Sequence, residues 1–455
     1  MTRFDPTGPL RGLLHPPADK SVSHRAALIA AMGCGQTEIE GYLDAADTRS
    51  TLMAVEKLGA EARRDPISRV NVGGSHRFPG RVPAGAPDPV IRIRGVGLRG
   101  PRSAVIDVGN AGTLMRLLPG WLAGQEGGAW TLDGDDSIRR RPVDRVAVPL
   151  REMGADLSAR EDRLPPLEVR GASLQGTTYE LPVASAQVKS CVLLAGLLAE
   201  GETRVVEPLP SRDHSERMLA AAGAEVSRSP APGGEGSVVT IQPAERLEPG
   251  RIVVPADISS AAFFVVAALL VPGSEVELLG VGINPTRTGI LTILQRMGAE
   301  IEHESEREEG GEPIADLHIR ATPLRATEVG GAEVPLAIDE LPLVALAACF
   351  AEGRTTIRDA EELRRKESDR VETVSAALNA LGGAVEPTAD GMVVTGTGGL
   401  RGGTIESHGD HRIAMLGAVA GLASREGVEV VGMDAAAVSY PGFEADLGAL
   451  LGVGA

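Results

Sequence analysis

Basic side chains recur at the expected starts of helices, where their charge opposes the helix dipole. The first turns concerned contain Lys20, Arg25, Arg116 and Arg412. A helix N-terminus has unsatisfied N–H groups and about half a positive charge, so it favours an anion rather than a further cation. A simple alternative is that neighbouring Asp, Ser and Asn residues are ordinary N-caps, which accounts for Asp257 without a ligand. The cations nevertheless favour a site for a small molecule with several negative charges.

Carboxylates stand among these cations. A second set of basic clusters comprises Arg139–Pro142, Ser211–Glu216 and Arg364–Arg370, although such charge runs are also typical of a solvated helix face. Asp339-Glu340 begins a further helix, and Glu367 lies within the last cluster. A carboxylate in a cationic pocket can carry a proton or can be an ion-pair partner that orients the arginines, and the sequence leaves both open. Together the clusters indicate acid–base chemistry on a polyanionic ligand.

A repeating unit must position these clusters. Helix-period segments that end in Gly-Ala or Gly-Gly are followed by short β-prone runs, as at Val55–Glu61 and Leu150–Asp156. The glycine marks a helix C-terminus, because it adopts the left-handed conformation without strain. Each unit is therefore predicted to be helix, strand, helix and further strands, and six copies begin near residues 20, 109, 185, 257, 339 and 409.

Six units divide naturally into three and three. The sixth copy ends without its last strands, so residues 1–17, which precede the first copy, could supply a missing strand. We therefore expect an α/β protein of two domains: domain B, residues 18–255, and domain A, residues 1–17 and 256–455. The polar stretch Glu304–Pro313 is expected to be an exposed loop.

Composition disfavours several other classes of protein. The 455 residues include 45 basic and 62 acidic side chains, and the net charge of −17 is opposite to that of a nucleic-acid-binding surface. The longest uncharged stretch, Ile258–Ser274, is too short and too polar to span a bilayer. The first residues contain no apolar signal segment, and three scattered cysteines favour neither disulfides nor zinc. We expect a cytoplasmic protein without nucleic-acid or membrane partners.

Two local patterns are weak signals of other chemistry. Gly95–Gly100 matches G-x-G-x-x-G, but Pro101 follows it where a dinucleotide-binding fold needs a helix. His408 and His411 lie three residues apart without further ligands nearby, so no metal site is expected.

Eight polar motifs follow one another along the chain. They are Asp19–Arg25, Gly109–Thr113, Arg141-Pro142, Ser185–Lys189, Ser211–His214, Asp339-Glu340, Arg364–Arg370 and Asp410–Arg412. In this order they resemble the motifs of the enolpyruvyl transferase family, specifically of the branch that acts on shikimate 3-phosphate. The resemblance covers nearly the whole chain. It implies a two-domain inverted α/β barrel, with three repeats per domain and the active site at the domain interface.

The resemblance also implies a reaction. The enolpyruvyl group of phosphoenolpyruvate passes to the 5-hydroxyl of shikimate 3-phosphate, with release of phosphate, in the shikimate pathway of aromatic amino acid biosynthesis. By similarity, the shikimate 3-phosphate site contains Lys20, Ser21, Arg25, Ser185, Ala186, Gln187, Ser211, Arg212, Asp339 and Lys366. By similarity, the phosphoenolpyruvate site contains Lys20, Gly112, Arg141, Gln187, Arg370 and Arg412.

Three of these residues receive catalytic roles from the reaction that the resemblance implies. The 5-hydroxyl must lose a proton while the methylene carbon of phosphoenolpyruvate gains one. Asp339 is assigned as the base on the hydroxyl, and Glu367 as the acid at the methylene. Lys20 assists the proton transfer and neutralises charge. The reaction requires neither a metal nor a redox cofactor.

Two positions depart from the pattern of relatives. Val438-Ser-Tyr-Pro441 stands where many relatives carry Lys-Thr-Phe-Pro, so a cation that contacts phosphate is absent there or replaced. Ser185–Lys189 is similar to the subgroup that tolerates the herbicide glyphosate, whereas Gly112 is the small residue associated with sensitivity. The sequence leaves glyphosate sensitivity open.

Two other functions are alternatives. UDP-N-acetylglucosamine enolpyruvyl transferase shares the fold and the donor but usually has a Lys-Asn pair and a loop Cys; here Lys20 precedes Ser21, and no Cys lies between Cys34 and Cys191. A non-enzymatic acidic scaffold would explain the repeats and the net charge, but it would not need cations at helix starts. A monomer is expected, because each domain can bury its own repeats.

Overall fold

Two clusters of buried hydrophobic side chains organise the protein. The computed structural model describes residues 1–65, 89–231, 233 and 236–452. One cluster contains residues from Ala18 to Val254, and the other joins Phe4 and Leu14 to residues from Ala256 onwards. The protein has a mixed α/β fold of two domains, for which we keep the names B and A. The exact domain boundaries stay a prediction.

Short strands and helices alternate along the described chain. The strands up to the second domain crossing are β1 (Thr2–Phe4), β2 (Arg11–Leu14), β3 (Gln36–Glu40), β4 (Glu61–Asp65), β5 (Val90–Arg94), β6 (Ala104–Asp107), β7 (Ala129–Asp133), β8 (Asp156–Arg160), β9 (Leu164–Arg170), β10 (Thr178–Glu180), β11 (Thr203–Glu207), β12 (Val226–Pro230), β13 (Ser237–Ile241) and β14 (Arg251–Val253). The helices in this part are α1 (Lys20–Met32), α2 (Ala46–Lys57), α3 (Gly112–Ala123), α4 (Asp144–Glu152), α5 (Ala186–Gly196) and α6 (His214–Ala221).

The second part of the chain repeats this alternation. Its strands are β15 (Glu275–Gly282), β16 (Glu300–Glu309), β17 (Glu312–Arg320), β18 (Glu328–Val329), β19 (Arg354–Ile357), β20 (Ala384–Pro387), β21 (Met392–Thr395), β22 (Gly403–Glu406) and β23 (Val428–Val431). Its helices are α7 (Ile258–Leu270), α8 (Gly289–Arg296), α9 (Val334–Ala337), α10 (Leu341–Phe350), α11 (Arg370–Ala380), α12 (His411–Ala423) and α13 (Phe443–Leu450).

The strands confirm a repeated unit. Within the described residues they form six sheets, with the orders β14-β3-β5-β4, β6-β7-β9-β8, β10-β11-β13-β12, β2-β15-β17-β16, β18-β19-β21-β20 and β22-β23-β1. In each sheet the first two strands are parallel, and every further pair is antiparallel. A parallel pair needs a crossover connection, which a helix usually provides. In the sixth sheet, the N-terminal strand β1 pairs with β23 in place of a hairpin.

The chain crosses between the domains twice, and the two crossings lie side by side. The backbone N–H of Asp19 donates to the carbonyl of Pro255 at 2.8 Å, and that of Asp257 donates to Pro17 at 2.8 Å. Each crossing also adds a strand, because β14 pairs with β3 and β2 pairs with β15. The starts of α1 and α7 are therefore held together at the boundary.

The first helix of each unit is deeply buried, which explains the long apolar runs in the sequence. Every residue of α7 is buried, and the described residues contain no helix long and apolar enough to cross a membrane. Side chains of Asp19, Ser185, Asp257 and Asp410 cap α1, α5, α7 and α12 by accepting backbone N–H bonds. The expected N-caps are thus present at these helix starts.

One local prediction is wrong. The stretch Glu304–Pro313, expected to be a loop, lies mostly within the paired strands β16 and β17, and only a short turn at Gly310-Gly311 joins them. The composition of this stretch is acidic, like that of a loop, because β16 is an edge strand that pairs on one side only and is largely exposed.

A close helix contact in domain B provides a stability prediction. A Cβ atom at Gly120 in α3 would lie 2.1 Å from the carbonyl oxygen of Cys191 in α5, so the two backbones would have to separate. We expect Gly120→Ala to lower the free energy of unfolding by about 1–3 kcal/mol. The measurement is urea denaturation of Gly120→Ala, with Gly8→Ala as the control. A Cβ atom at Gly8 would meet nothing within 4 Å. Equal stability of the two variants would contradict the packing described.

Candidate active site between the domains

Asp339 lies among cations that come from both domains. Arg212, just before α6 in domain B, places Nη2 2.5 Å from Asp339 Oδ2. Lys366 Nζ and Arg370 Nη1 lie 3.2 and 3.5 Å from Asp339 Oδ1. Burial favours the neutral carboxyl, but Lys366 and Arg212 hold the pKa of Asp339 well below its usual range. The predicted base is therefore an ionised carboxylate in the free protein.

Glu367 is the second carboxylate of this cluster. Arg370 Nη2 lies 2.6 Å from Glu367 Oε2, and Arg141 Nη2 of domain B lies 3.9 Å from Oε1. Although burial favours its neutral form, Arg370 and Arg141 hold the pKa of Glu367 below its usual range. The guanidinium of Arg370 thus reaches Glu367 and Asp339 with different nitrogens.

Asp410 fixes the two arginines of domain A that belong to the predicted phosphoenolpyruvate set. Its carboxylate accepts from Arg370 Nε at 2.9 Å and from the backbone N–H of Arg412 at 2.9 Å. The Arg412 guanidinium lies 3.4 Å from Glu340 Oε1. Only 1% of the Arg370 surface is exposed, so its orientation is set by these carboxylates.

Lys20 is the first residue of α1 and lies on the domain B side. Its Nζ is 3.2 Å from Asp47 Oδ2. His411 of domain A is close enough for the Lys20 charge to act on it. Burial lowers the pKa of His411 to about 3, and Lys20 and Arg412 contribute in the same direction. His411 is therefore neutral at neutral pH.

Gly112 allows two arginines to come close to the start of α3. A Cβ atom there would lie 3.1 Å from Arg141 Nη1 and 3.3 Å from Arg116 Nη1. Gln187, in the first turn of α5, accepts from Arg116 Nη1 at 2.9 Å and donates to Thr113 Oγ1 at 3.2 Å. Three residues of the predicted phosphoenolpyruvate set, Gly112, Arg141 and Gln187, are thus grouped around Arg116.

Several residues of the predicted shikimate 3-phosphate set bond to protein groups. Arg25 is buried and donates to Ser215 Oγ at 2.8 Å, to Ser190 Oγ at 3.0 Å and to the carbonyl of Ser21 at 3.0 Å. Ser185 caps α5, whose first residue is Ala186. The Ser211 hydroxyl donates to Glu207 Oε2 at 2.7 Å. Arg25 and Ser211 therefore stabilise the helix starts of domain B through these hydrogen bonds.

Sequence reasoning missed the residues that support this site. Asp47 pairs with Lys20 but lies in a helix start with no distinguishing motif. Lys189 has a buried Nζ that lies 2.7 Å from Glu216 Oε1 and 3.0 Å from Glu207 Oε2. The scarcity of lysine in this arginine-rich chain singles out Lys189 in the sequence, but it does not indicate these partners.

Comparisons with known proteins identify the family of this chain. The family model for EPSP synthase (3-phosphoshikimate 1-carboxyvinyltransferase) matches residues 4–83 and 86–447. A 3-phosphoshikimate 1-carboxyvinyltransferase of Anaeromyxobacter sp. (strain Fw109-5) is 50% identical over 451 residues, 98% of each chain. Another, of Synechococcus sp. (strain RCC307), is 47% identical over 446 residues, 97% of each chain. The structure of EPSP synthase from Acinetobacter baumannii matches with a TM-score of 0.84 and 41% identity, covering 98% of this chain and 97% of that one.

The fold and the matches over nearly the whole chain thus define an enolpyruvyl-transferring enzyme. The chain is a member of the EPSP synthase family. This confirms the two-domain α/β fold, the enzyme class and the reaction predicted from the motifs. The reaction is enolpyruvyl transfer from phosphoenolpyruvate to shikimate 3-phosphate in the shikimate pathway.

Proposed function

We propose that the cluster between the domains carries out this transfer, with Asp339 as base, Glu367 as acid and Lys20 as a supporting cation. The observation that carries the proposal is that one buried guanidinium, that of Arg370, lies 3.5 Å from Asp339 and 2.6 Å from Glu367. Two carboxylates that contact one guanidinium lie in the same part of the site, which proton transfers on one pair of small substrates require.

The proposed shikimate 3-phosphate site extends from this pair into domain B. Lys366 and Arg212 are the natural partners of the phosphate, because they are cations whose present partner is the Asp339 carboxylate. A bound phosphate would compete for both and leave Asp339 a stronger base. The full proposed set is Lys20, Ser21, Arg25, Ser185, Ala186, Gln187, Ser211, Arg212, Asp339 and Lys366.

The proposed phosphoenolpyruvate site lies beside Glu367. Arginine suits its carboxylate and phosphate, because a guanidinium donates two parallel hydrogen bonds to such groups. Arg141 is contributed by domain B and Arg370 by domain A, so the ligand would bridge the domains. The full proposed set is Lys20, Gly112, Arg141, Gln187, Arg370 and Arg412.

The proposed chemistry has two stages. Asp339 accepts the proton of the 5-hydroxyl, Glu367 gives a proton to the methylene carbon, and the hydroxyl oxygen bonds to the adjacent carbon, which forms a tetrahedral intermediate. Phosphate then leaves with the proton held by Asp339, and the new methyl group returns a proton to Glu367. Glu367 must first be protonated. Because the charges of phosphoenolpyruvate neutralise Arg370 and Arg141, binding of this ligand raises the pKa of Glu367.

Phosphate release tests the proposed function. The purified protein is supplied with phosphoenolpyruvate and either shikimate 3-phosphate or UDP-N-acetylglucosamine. Release only with the shikimate compound is expected, because the chain belongs to the EPSP synthase family. Release only with the sugar nucleotide, or with neither acceptor, would contradict the proposal.

Gly112→Ala tests the phosphoenolpyruvate site. The added methyl group would lie 3.1 Å from Arg141 Nη1 and displace a proposed ligand-binding guanidinium. Loss of part of one charge-assisted hydrogen bond is expected to raise the KM for phosphoenolpyruvate about tenfold, because such a bond contributes about 1.5–3 kcal/mol. The measurement is the steady-state kinetics of Gly112→Ala, with Gly8→Ala as the control. An unchanged KM would exclude Gly112 and Arg141 from this site.

We also propose that the protein is a cytoplasmic monomer. Each domain buries its own hydrophobic cluster, and all the proposed site residues belong to one chain. Cys34, Cys191 and Cys349 are free thiols, which suits a reducing compartment. Analytical ultracentrifugation is expected to give one species near 47.2 kDa, and a species of twice that mass would contradict the monomer.

A further inference from the structure

A buried arginine lies beside the two chain crossings, and none of the roles assigned above uses it. Arg287 belongs to the turn between β15 and α8 in domain A, and 3% of its surface is exposed. Three residues earlier in the same turn, Asn284 donates to Asp213 Oδ1 of domain B at 2.7 Å. Asp213 directly follows Arg212, the partner of Asp339. This turn therefore holds domain B at a point next to the site.

Arg287 links the starts of two helices, one from each domain. Its Nη2 lies 2.9 Å from Asp257 Oδ1 and 3.5 Å from Asp19 Oδ2. Asp257 caps α7, and Asp19 caps α1. Lys20 directly follows Asp19, so the guanidinium also fixes the start of the helix that carries the proposed catalytic amine.

The contacts continue from Arg287 to the phosphoenolpyruvate side of domain A. Ser259 Oγ accepts from Arg287 Nη2 at 2.7 Å and donates to Glu340 Oε1. Arg412 Nη1 lies 3.4 Å from the same Glu340 oxygen. A continuous series of polar contacts thus joins Asp19 in domain B to Arg412 in domain A.

The charge balance of the series depends on Arg287. Burial and the charge of Asp19 raise the pKa of Asp257 to about 6, against the influence of Arg287. Burial also favours the neutral form of Asp19, but Arg287 is the strongest of the charges that hold the pKa of Asp19 below its usual range. Without Arg287, two neighbouring buried carboxylates either share a proton or move apart, and both changes loosen the start of α1.

We propose that Arg287 is a positioning residue for enolpyruvyl transfer, which sets the separation between Lys20 of domain B and Arg412 of domain A. The inference rests on the proposed function, because Lys20 and Arg412 are assigned there to the same phosphoenolpyruvate molecule. Arg287 acts through Asp19 and through Ser259 and Glu340. An error of about 1 Å in such a site can cost about 10²-fold in rate.

The test uses Arg287→Gln, which removes the charge and keeps a polar side chain. We expect kcat/KM for phosphoenolpyruvate to fall at least about tenfold. Binding of shikimate 3-phosphate alone, measured by calorimetry, is expected to stay within about threefold, a difference below 1 kcal/mol. Eight of the ten residues of the proposed shikimate 3-phosphate set belong to domain B, and only Asp339 and Lys366 belong to domain A. Binding of shikimate 3-phosphate therefore depends less on the domain separation than the transfer from phosphoenolpyruvate does. Arg287→Lys should recover part of the loss, because an ammonium can pair with one of the carboxylates.

Arg296→Gln is the matched control. Arg296 belongs to α8 in the same domain, and its guanidinium pairs with Glu333 at 3.0 Å on the surface. Rates are expressed per shikimate 3-phosphate site counted by calorimetry, so unfolded protein does not contribute. The control is expected to keep wild-type values for both substrates.

Two outcomes would overturn the inference. One is wild-type kinetics for Arg287→Gln, and the other is an equal loss of affinity for both substrates, which a merely structural role predicts. If Arg287→Gln does not fold, the double variant Arg287→Gln/Asp257→Asn removes one carboxylate with the guanidinium, and the same selective loss is expected of it. Failure of the proposed function would differ from failure of this inference, because the wild-type protein itself would then release no phosphate with shikimate 3-phosphate.

Discussion

Asp339→Asn is expected to lower kcat by about 10²-fold or more, the range for removal of a general base. The amide keeps the volume of the carboxylate and can still accept from Arg212, but it cannot accept the proton of the 5-hydroxyl. Because the pKa of Asp339 lies well below its usual range, the wild-type base is already ionised at neutral pH. In the free protein this base is lost only when the pH falls through that lowered pKa, and bound shikimate 3-phosphate is expected to raise the pKa by competing for Lys366 and Arg212.

Binding of shikimate 3-phosphate distinguishes a loss of turnover in Asp339→Asn from misfolding of the variant. Asp339→Asn removes a negative charge beside Lys366 and Arg212, so the affinity for shikimate 3-phosphate should be kept or increased. Asp162→Asn is the control, since Asp162 pairs with Arg151 on the surface. Steady-state kinetics and calorimetry on the two variants make the comparison. Unchanged turnover in Asp339→Asn would remove Asp339 from the mechanism.

Glu367→Gln is expected to lower kcat by about 10²–10⁴-fold, the range for loss of a positioned acid. An amide cannot protonate the methylene carbon. Arg370 keeps its orientation in this variant, because Asp410 accepts from its Nε at 2.9 Å. Phosphoenolpyruvate should therefore still bind, and the loss should fall on kcat. Glu372→Gln, on the exposed side of α11, is the control.

The pH dependence of kcat provides a second check on Glu367. In the proposed site, phosphoenolpyruvate neutralises the arginines that lower the pKa of Glu367 in the free protein. We therefore expect this pKa to be higher in the complex than in the free protein. An acid must be protonated to act, and wild-type kcat is therefore expected to fall as the pH rises through the raised pKa. This alkaline decrease should be absent in Glu367→Gln. If kcat decreased with the same midpoint pH in both proteins, the alkaline decrease would belong to another group.

The helix starts could be predicted from the sequence because their signals are local. Asp19, Ser185 and Asp257 are N-caps next to long apolar runs, and each caps a buried helix in the structure. The start expected at Gly109 lies three residues early, because Gly109 has a φ of 57° and α3 begins at Gly112. The resemblance grouped the polar clusters into one site, but it did not indicate which side chains pair.

The pairings could not be predicted because they join distant parts of the chain. Arg212 and Asp339 are 127 residues apart, and each pairs with the other across the domain boundary. Arg287 has no motif around it, and its role depends on two chain crossings that bring Asp19 and Asp257 together. The polar side chains of the edge strand β16 are typical of a loop, whereas its backbone is paired with β17. Such features follow from tertiary contacts and not from local pattern.

The central claim is that Glu367 exchanges a proton with the methylene carbon of phosphoenolpyruvate while Asp339 serves the hydroxyl. The most direct measurement is the reaction in D2O with shikimate 3-phosphate, followed by NMR of the methylene groups of the product and of the remaining phosphoenolpyruvate. Reversible protonation predicts deuterium in the methylene group with the wild-type protein, and a loss of incorporation in Glu367→Gln that parallels its loss of turnover. Incorporation by Glu367→Gln at the wild-type rate would contradict the account.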